Sequence, residues 1–434
     1  MNKKMLSSDR ASLWSLADQG SVSLGNFLTN ILLARTLAPS DYGIFALVYG
    51  LLVLLKSFHA CAILYPLSIR GAASDIVGLH KYTRRSLLLT ALLSFPFAIV
   101  VLGATELLGL PAVAPWAIVA LWCWQTQETL RRSLMAHLRH GEAVWGDAFS
   151  YLGQASIIYL CLRSGYTSLE LVFGIIATTS ILAAALQALQ LRLKIRGKSE
   201  LIQYSRDSWN LSRWALLANA AVAVPNLAFP WLLALRGTQE SASFQVLVNL
   251  AAAANPVIFS VSNVVVPATA RAAQAGGMQA AWKVTWRYGI RGATLVLPFY
   301  LIAIAWPRFL LQLVYGSGSA YLAEGKALRL LIIGYSFVYA SCLLAAFFYG
   351  LGQSKKVLVA QFAGSVCAII AGYPLISRLG VVGASAGFTL VFIVQTIAFL
   401  LLFRRVRCGG IPLPQLAKTH NKGEKGIVDA AVTM

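Results

Sequence analysis

Apolar and polar positions in this chain neither alternate nor trace the narrow stripe of a soluble surface helix. They fall into long apolar runs separated by short polar connections. The runs cover approximately 11–34, 43–66, 86–109, 112–135, 143–162, 168–191, 211–235, 243–267, 289–314, 327–350, 357–377 and 381–403. A helix needs about 20 apolar residues to cross a bilayer. Barrel strands would instead alternate over about ten residues, whereas a helix satisfies its own backbone in lipid. The pattern predicts an all-α polytopic membrane protein with twelve transmembrane helices. The first run, after MNKKMLSSDR, is too long and too rich in Asp, Gln and Asn for a signal-peptide core. It reads as the first retained span.

The polar positions inside the runs are ordered. Gln19, Ser23, Asn26 and Asn30 share one face of the first span, with Asp18 at its border. The seventh span carries Asn219 and Asn226, with Pro225 and Pro230 placed to kink it. Phe45, Tyr49, Leu52, Lys56 and His59 form a stripe on the second span, matched on the eighth by Gln245, Asn249, Asn255, Pro256 and Asn263. Gln125, Glu128 and Arg132 make a face on the fourth, with Trp122 and Trp124 nearby. A single amide in a span is ordinary interhelical glue, worth about 0.6 kcal/mol. A set recurring in both halves predicts a water-filled cleft lined by spans 1, 2, 7 and 8.

Charges at membrane depth carry more weight. A mid-span lysine costs about 2.5–3.5 kcal/mol on insertion scales and faces a cavity or a partner. Lys56 has two readings: an ion pair with Asp18 or Glu128, or, with His59, the lining of a chamber that accepts an anion. Asp18 and Glu128 are candidates for ion or proton coupling, and equally for salt bridges. Arg35, at the outer end of the first span, is a candidate phosphate contact or a solvated helix-end charge. His137 and His140 lack a third ligand, so no metal site is expected.

An internal repeat is visible. LWSLADQGSVSLGNFLTNILLA (13–34) lies over RWALLANAAVAVPNLAFPWLLA (213–234), matching Trp14 to Trp214 and Asn26 to Asn226; PLSIRGAA (66–73) lies over PATARAAQ (267–274). Six spans per half give both halves the same orientation. The expectation is two parallel six-helix bundles around a central cavity: an arm (1–10), a first bundle (11–191), a linker with an amphipathic helix (192–210), a second bundle (211–403) and a disordered tail (404–434).

Composition agrees. The 434 residues are 58% hydrophobic and 12% charged, with mean hydropathy +0.70; soluble domains carry about a quarter charged residues. The net charge of +21 is a matter of topology. Of 36 Lys and Arg, 28 fall on the side holding both predicted termini, seven on the other, and Lys56 within a span. Basic residues stay in the cytoplasm, so both termini are expected inside. Cations spread over seven segments predict contact with anionic lipid, not nucleic acid. The six cysteines are scattered without metal or redox spacing. No GxxxxGKS or GxxxxGKT motif occurs; GLGQSKK (350–356) and YGSGSAY (315–321) lack a nucleotide-binding context. With no Ser-His-Asp set or zinc-protease motif, neither an enzyme nor a cofactor is expected.

The segment NILLARTLAPSDYGIFALVYGLL (30–52) carries Leu33-Ala34-Arg35, Leu37, Ala38, Pro39, Asp41-Tyr42-Gly43 and Phe45-Ala46-Leu47. It resembles a signature of Wzx-type flippases for O-antigen and exopolysaccharide repeat units, in the multidrug/oligosaccharidyl-lipid/polysaccharide superfamily. Ala38 stands where glycine is usual, and RRSLMAHLRHGE (131–142) extends the likeness loosely. Physically, Pro39-Ser40-Asp41 ends one helix and caps the next. The resemblance implies a bacterial inner-membrane protein that moves an undecaprenyl-pyrophosphate-linked oligosaccharide between leaflets by alternating access. It would work beside a polymerase and glycosyltransferases. Lys56 and His59 would meet pyrophosphate, and the amides Asn26, Asn30, Gln125, Asn226, Asn249 and Asn255, with tryptophans, the sugars. A proton- or cation-coupled multidrug efflux carrier is the alternative.

Overall fold

The computed structural model describes residues 3–408, apart from 138, 167 and 194–200. Twelve long helical segments make up this region: α1 (Lys3–Thr36), α2 (Pro39–Ala72), α3 (Ile76–Leu107), α4 (Ala114–Ala136), α5 (140–163), α6 (Leu169–Leu191), α7 (Leu201–Ala234), α8 (238–275), α9 (278–305), α10 (Gly325–Gly350), α11 (354–379) and α12 (381–408). Among the described residues, seven continuous helical stretches are long and apolar enough to cross a membrane. Two of them hold a helical hairpin each. Gly276 and Gly277 leave helical φ/ψ between α8 and α9, and Thr269 and Thr285 hydrogen-bond at 2.8 Å across that break. In a straight helix they would lie about 24 Å apart. Gly380, at φ +56°, turns α11 back on α12 in the same way, bringing Gly364 against Gln395.

Local chemistry sets several boundaries. Ala38 is extended and Pro39 opens α2 at its first turn, where a missing N–H costs nothing. Asp41 makes no cap hydrogen bond; it lies in the first turn, where a carboxylate favours the helix dipole. Asp75 does cap, accepting from the Gly78 N–H at 2.9 Å. Residues 201–210, assigned to the linker, are the first part of α7 and continuous with its span. Residues 194–200 of that linker, and 409–434 of the tail, lie outside the described residues.

Contacts between connections define two faces of the bundle. On the near face, which holds the start of α1, His137 meets the Gly71 carbonyl at 3.0 Å, His80 meets Leu191 at 3.0 Å and Arg139 donates to Gln190 at 2.7 Å. On the far face, Arg35 donates to Val314 and Leu313, Arg236 to Ser377 and Arg329 to Ile304. All of these satisfy carbonyls in the last turns of helices, which have no partner within the helix.

The core shows how the halves meet. On the far face, Leu33, Tyr42, Phe45 and Leu51 pack in one apolar cluster with Phe244, Leu247, Leu250 and Leu311 of the second half. On the near face the cores are separate: Leu79, Leu130, Leu134 and Leu191 in the first half, Phe347, Phe348, Leu351 and Phe399 in the second. The halves are therefore fused at one end and parted at the other. Among the described residues, α7 is the helix that crosses the near-face gap. Ser212 Oγ donates to the Ala62 carbonyl at 3.2 Å, Tyr204 bonds Ser86 at 2.8 Å and Asp207 faces Arg70 at 3.7 Å. The other flank, between α1 and α8, stays open.

Candidate functional site

Four helices of the first half converge on one group of charges. Lys56 of α2 places its ammonium 3.1 Å from Glu128 Oε1 of α4, 3.3 Å from the Tyr151 hydroxyl of α5 and 3.8 Å from the centre of the Trp124 ring. Tyr151 accepts from Trp124 Nε1 at 2.8 Å and donates to Glu128 at 3.3 Å. Arg131 is the hub. Its guanidinium pairs with Glu128 at 3.2 Å and contacts both Asp18 of α1 and Asp147 of α5. Gln127 and Gln187 donate to Asp147 at 3.2 and 3.3 Å. The planar fork of arginine suits several carboxylates at once in a way an ammonium does not.

Two π-helical turns bracket this group. One, Ala60–Leu64, begins a turn after Lys56; the other, Ala148–Leu152, follows Asp147 and carries Tyr151. Such turns recur at functional sites because the extra residue re-aims side chains. Among the described residues, the second half has no π-turn.

The expected site residues divide into three sets. Lys56 is ion-paired and keeps 23% of its side chain exposed, but it lines neither the α1–α8 cleft nor the vestibule at Arg132. Asp18 and Glu128 are each held by Arg131. His59 is fully buried, with Nε2 2.9 Å from Thr90 Oγ1; it lies inside the bundle, not on a chamber wall. Gln125 is also fully buried.

A second set lines a cleft between α1 and α8 of about 520 Å³, walled by Gln19, Ser23, Asn26, Asn30, Asn249 and Asn255 together with Leu24, Phe27 and Phe259. Its deep end is a relay across the halves. Gln245 donates to Asn249 at 2.8 Å, Asn249 to the Tyr42 hydroxyl at 2.8 Å, and Tyr42 to Asn30 at 3.4 Å. Tyr49 donates to Asn26 at 2.9 Å. Toward the near face, Gln19 also borders a vestibule of about 440 Å³ lined by Asp18, Ser68, Arg131, Arg132 and His140. Arg132 Nε and His140 Nδ1 are buried there without hydrogen-bond partners.

The third set lies elsewhere. Arg35 caps the short helix Pro307–Tyr315, donating to Val314 at 2.6 Å and Leu313 at 3.1 Å. Asn226 is exposed on α7 and bonds its own helix at Val222. Sequence reasoning missed Arg131, Asp147 and Tyr151. Asp147 did leave a signal: it is the only carboxylate inside the fifth apolar run. Among the described residues no group of His, Cys, Asp and Glu is arranged to hold a metal ion.

No protein-family model and no curated protein matches the sequence. Solved structures do. A multidrug-resistance MATE family transporter of the MOP superfamily, in its inward-facing conformation, superposes with a TM-score of 0.72 at 14% identity, over 89% of this chain and 94% of that one. The lipid II flippase MurJ, inward closed, gives 0.74 at 14% identity, over 90% and 87%. A MOP superfamily transporter from Pyrococcus furiosus, described as having a binding pocket of reversed polarity, gives 0.63 at 13%, over 92% and 95%. The chain is thus a multi-pass membrane protein with two parallel six-helix bundles around a central cavity. Its fold is the one shared by these MOP superfamily transporters.

Proposed function

We propose that the protein is a flippase. It carries an undecaprenyl-pyrophosphate-linked oligosaccharide repeat unit across the bacterial inner membrane, in synthesis of a cell-surface polysaccharide such as O-antigen or exopolysaccharide. The near face is cytoplasmic in this reading, and a polymerase and glycosyltransferases act before and after it. The observation that carries the proposal is the open α1–α8 flank. An amide-lined cleft with apolar rims at Leu24 and Phe259 shares Gln19 with a neighbouring vestibule that holds Arg132. A lipid-linked sugar needs those three environments side by side: lipid at the opening, amides for hydroxyls, and a guanidinium for phosphate. Substrate reaches such a cleft sideways from the bilayer without leaving its lipid tail. Halves fused on the far face and parted on the near face are one end state of alternating access.

The cationic role moves from the residues first expected to hold it. Lys56 is held by Glu128, and His59 is enclosed. Arg132 and His140 are the basic residues lining the vestibule whose side chains make no hydrogen bond or ion pair among the described residues. Transport then needs no covalent chemistry, only differential contacts in two conformations.

One observation favours the alternative, a proton- or cation-coupled drug carrier: the buried group has three carboxylates against two cations. Reconstitution separates the two. Purified protein in liposomes should expose a polyprenyl-pyrophosphate oligosaccharide to a lectin on the opposite side, and should not drive ethidium efflux under an imposed proton gradient. Efflux without flipping would replace the flippase by the drug carrier.

A further inference from the structure

We infer that the glycan carried in the α1–α8 cleft is uncharged: a chain of neutral hexoses or N-acetylhexosamines without uronic or other acidic sugars. This rests on the flippase reading and adds to it the chemical class of the cargo. None of the thirteen residues lining the cleft is ionisable. Its polar walls are amides and one serine, each able to donate and accept, as a sugar hydroxyl or acetamido group requires. Gln19, Ser23 and Asn255 make no side-chain hydrogen bond to the described protein, so their capacity is unspent. Asn26 and Asn249 are already oriented by Tyr49 and Tyr42. At about 520 Å³ the cleft falls in the range of about 300–1,000 Å³ typical of small-molecule sites.

A carboxylate on the sugar would meet nothing suitable there. Taking an ion out of water without a partner is strongly unfavourable. The nearby cations are engaged, Lys56 by Glu128 and Arg131 by Asp18, Glu128 and Asp147. Arg132 lies in the vestibule beyond Gln19, at the near-face end. Gln19 belongs to both spaces, and Asn30 lies about 16 Å further along α1. That order fixes the direction of the cargo. Diphosphate sits at the near face beside Arg132, and the glycan reaches from Gln19 toward Asn30.

The test uses the full-length protein in liposomes and two synthetic probes. One is a polyprenyl pyrophosphate bearing a neutral hexose–N-acetylhexosamine disaccharide. The other is identical except that a hexuronic acid replaces the hexose. The neutral probe should flip at least tenfold faster. Asn255→Lys, which puts a cation on a half-exposed cleft wall, should raise flipping of the acidic probe at least fivefold and slow the neutral one. Ser23→Lys serves where Asn255→Lys does not insert. Equal rates for both probes in the wild type would overturn the inference while leaving the flippase standing. Faster flipping of the acidic probe would do the same. Movement of neither probe would overturn the flippase reading and the inference with it.

Discussion

The Lys56 ammonium stands 3.1 Å from the Glu128 carboxylate, and both belong to the same half of the molecule. The pair therefore does not tie the two bundles together. It neutralises a lysine at membrane depth, and Trp124 and Tyr151 contact the same ammonium. A cation held this way is not an open docking point for phosphate.

Breaking the pair from one side should therefore harm the protein more than removing it. Lys56→Met leaves Glu128 with Arg131 alone, and Glu128→Gln leaves Lys56 without a counterion. The double variant Lys56→Met/Glu128→Gln should be more stable than the sum of the singles predicts, by about 1–3 kcal/mol of coupling. Thermal unfolding of detergent-purified protein measures this. A coupling below about 0.5 kcal/mol would mean the pair is incidental.

Neighbouring arginines should behave in opposite ways. Arg131 serves three buried carboxylates, so Arg131→Ala should cost about 3–5 kcal/mol and prevent recovery of monodisperse protein. Arg131→Lys should not rescue it, because an ammonium lacks the fork. Arg132 has no ion pair among the described residues, so Arg132→Gln should fold normally and lose at least tenfold in flipping rate. Size-exclusion profiles beside liposome assays separate the two. Normal transport by folded Arg132→Gln would remove it from the phosphate path.

The contrast between these arginines also marks what could be read in advance. The twelve spans were legible because lipid imposes length and apolarity on each. Helix boundaries were less so: α3 begins at Ile76, before the apolar run at 86, since hydropathy reports the surrounding solvent and not the backbone hydrogen bonds. Lys56 stood out because a charge in an apolar run is conspicuous, and its partner could be narrowed to Asp18 or Glu128. Choosing between them, and seeing that Arg131 rather than Arg132 turns inward, requires the rotation of α4, which packing sets. Adjacent residues on a helix point about 100° apart. The π-turns, which place Asp147 and Tyr151, leave no mark in residue spacing.

Arg35 offers a test of the far face. Its guanidinium satisfies the last carbonyls of the helix Pro307–Tyr315, joining α1 to the second half. Arg35→Gln should weaken closure at that end without unfolding either bundle, because Arg35 is exposed. Thiol-reactive probes at an engineered cysteine replacing Leu311, which is fully buried in the far-face cluster, should label several-fold faster in Arg35→Gln when the native cysteines are absent. Unchanged labelling would show that the bond does not hold the halves.

Gly43 lets the two bundles approach closely at Thr238. A Cβ at position 43 would lie 1.9 Å from the Thr238 carbonyl oxygen, closer than atoms can approach. The neighbour is backbone at the start of α8, so no side-chain rotation relieves the clash. Gly43 itself is helical and buried within α2. Valine there keeps φ/ψ acceptable but pushes the two helix ends apart. The far-face cluster around Tyr42, Phe45 and Leu247 would then lose contacts, and the closed far face would be disfavoured relative to the opposite state. Gly43→Val should accordingly shift the population toward a far-face-open form while preserving both bundles. Spin labels at Asp41 and Gln239, both exposed at the far face, would report a longer distance distribution in Gly43→Val than in wild type. Gly43→Ala should show the same shift to a smaller degree. Identical distributions in all three proteins would mean that closure at this end does not depend on the glycine contact.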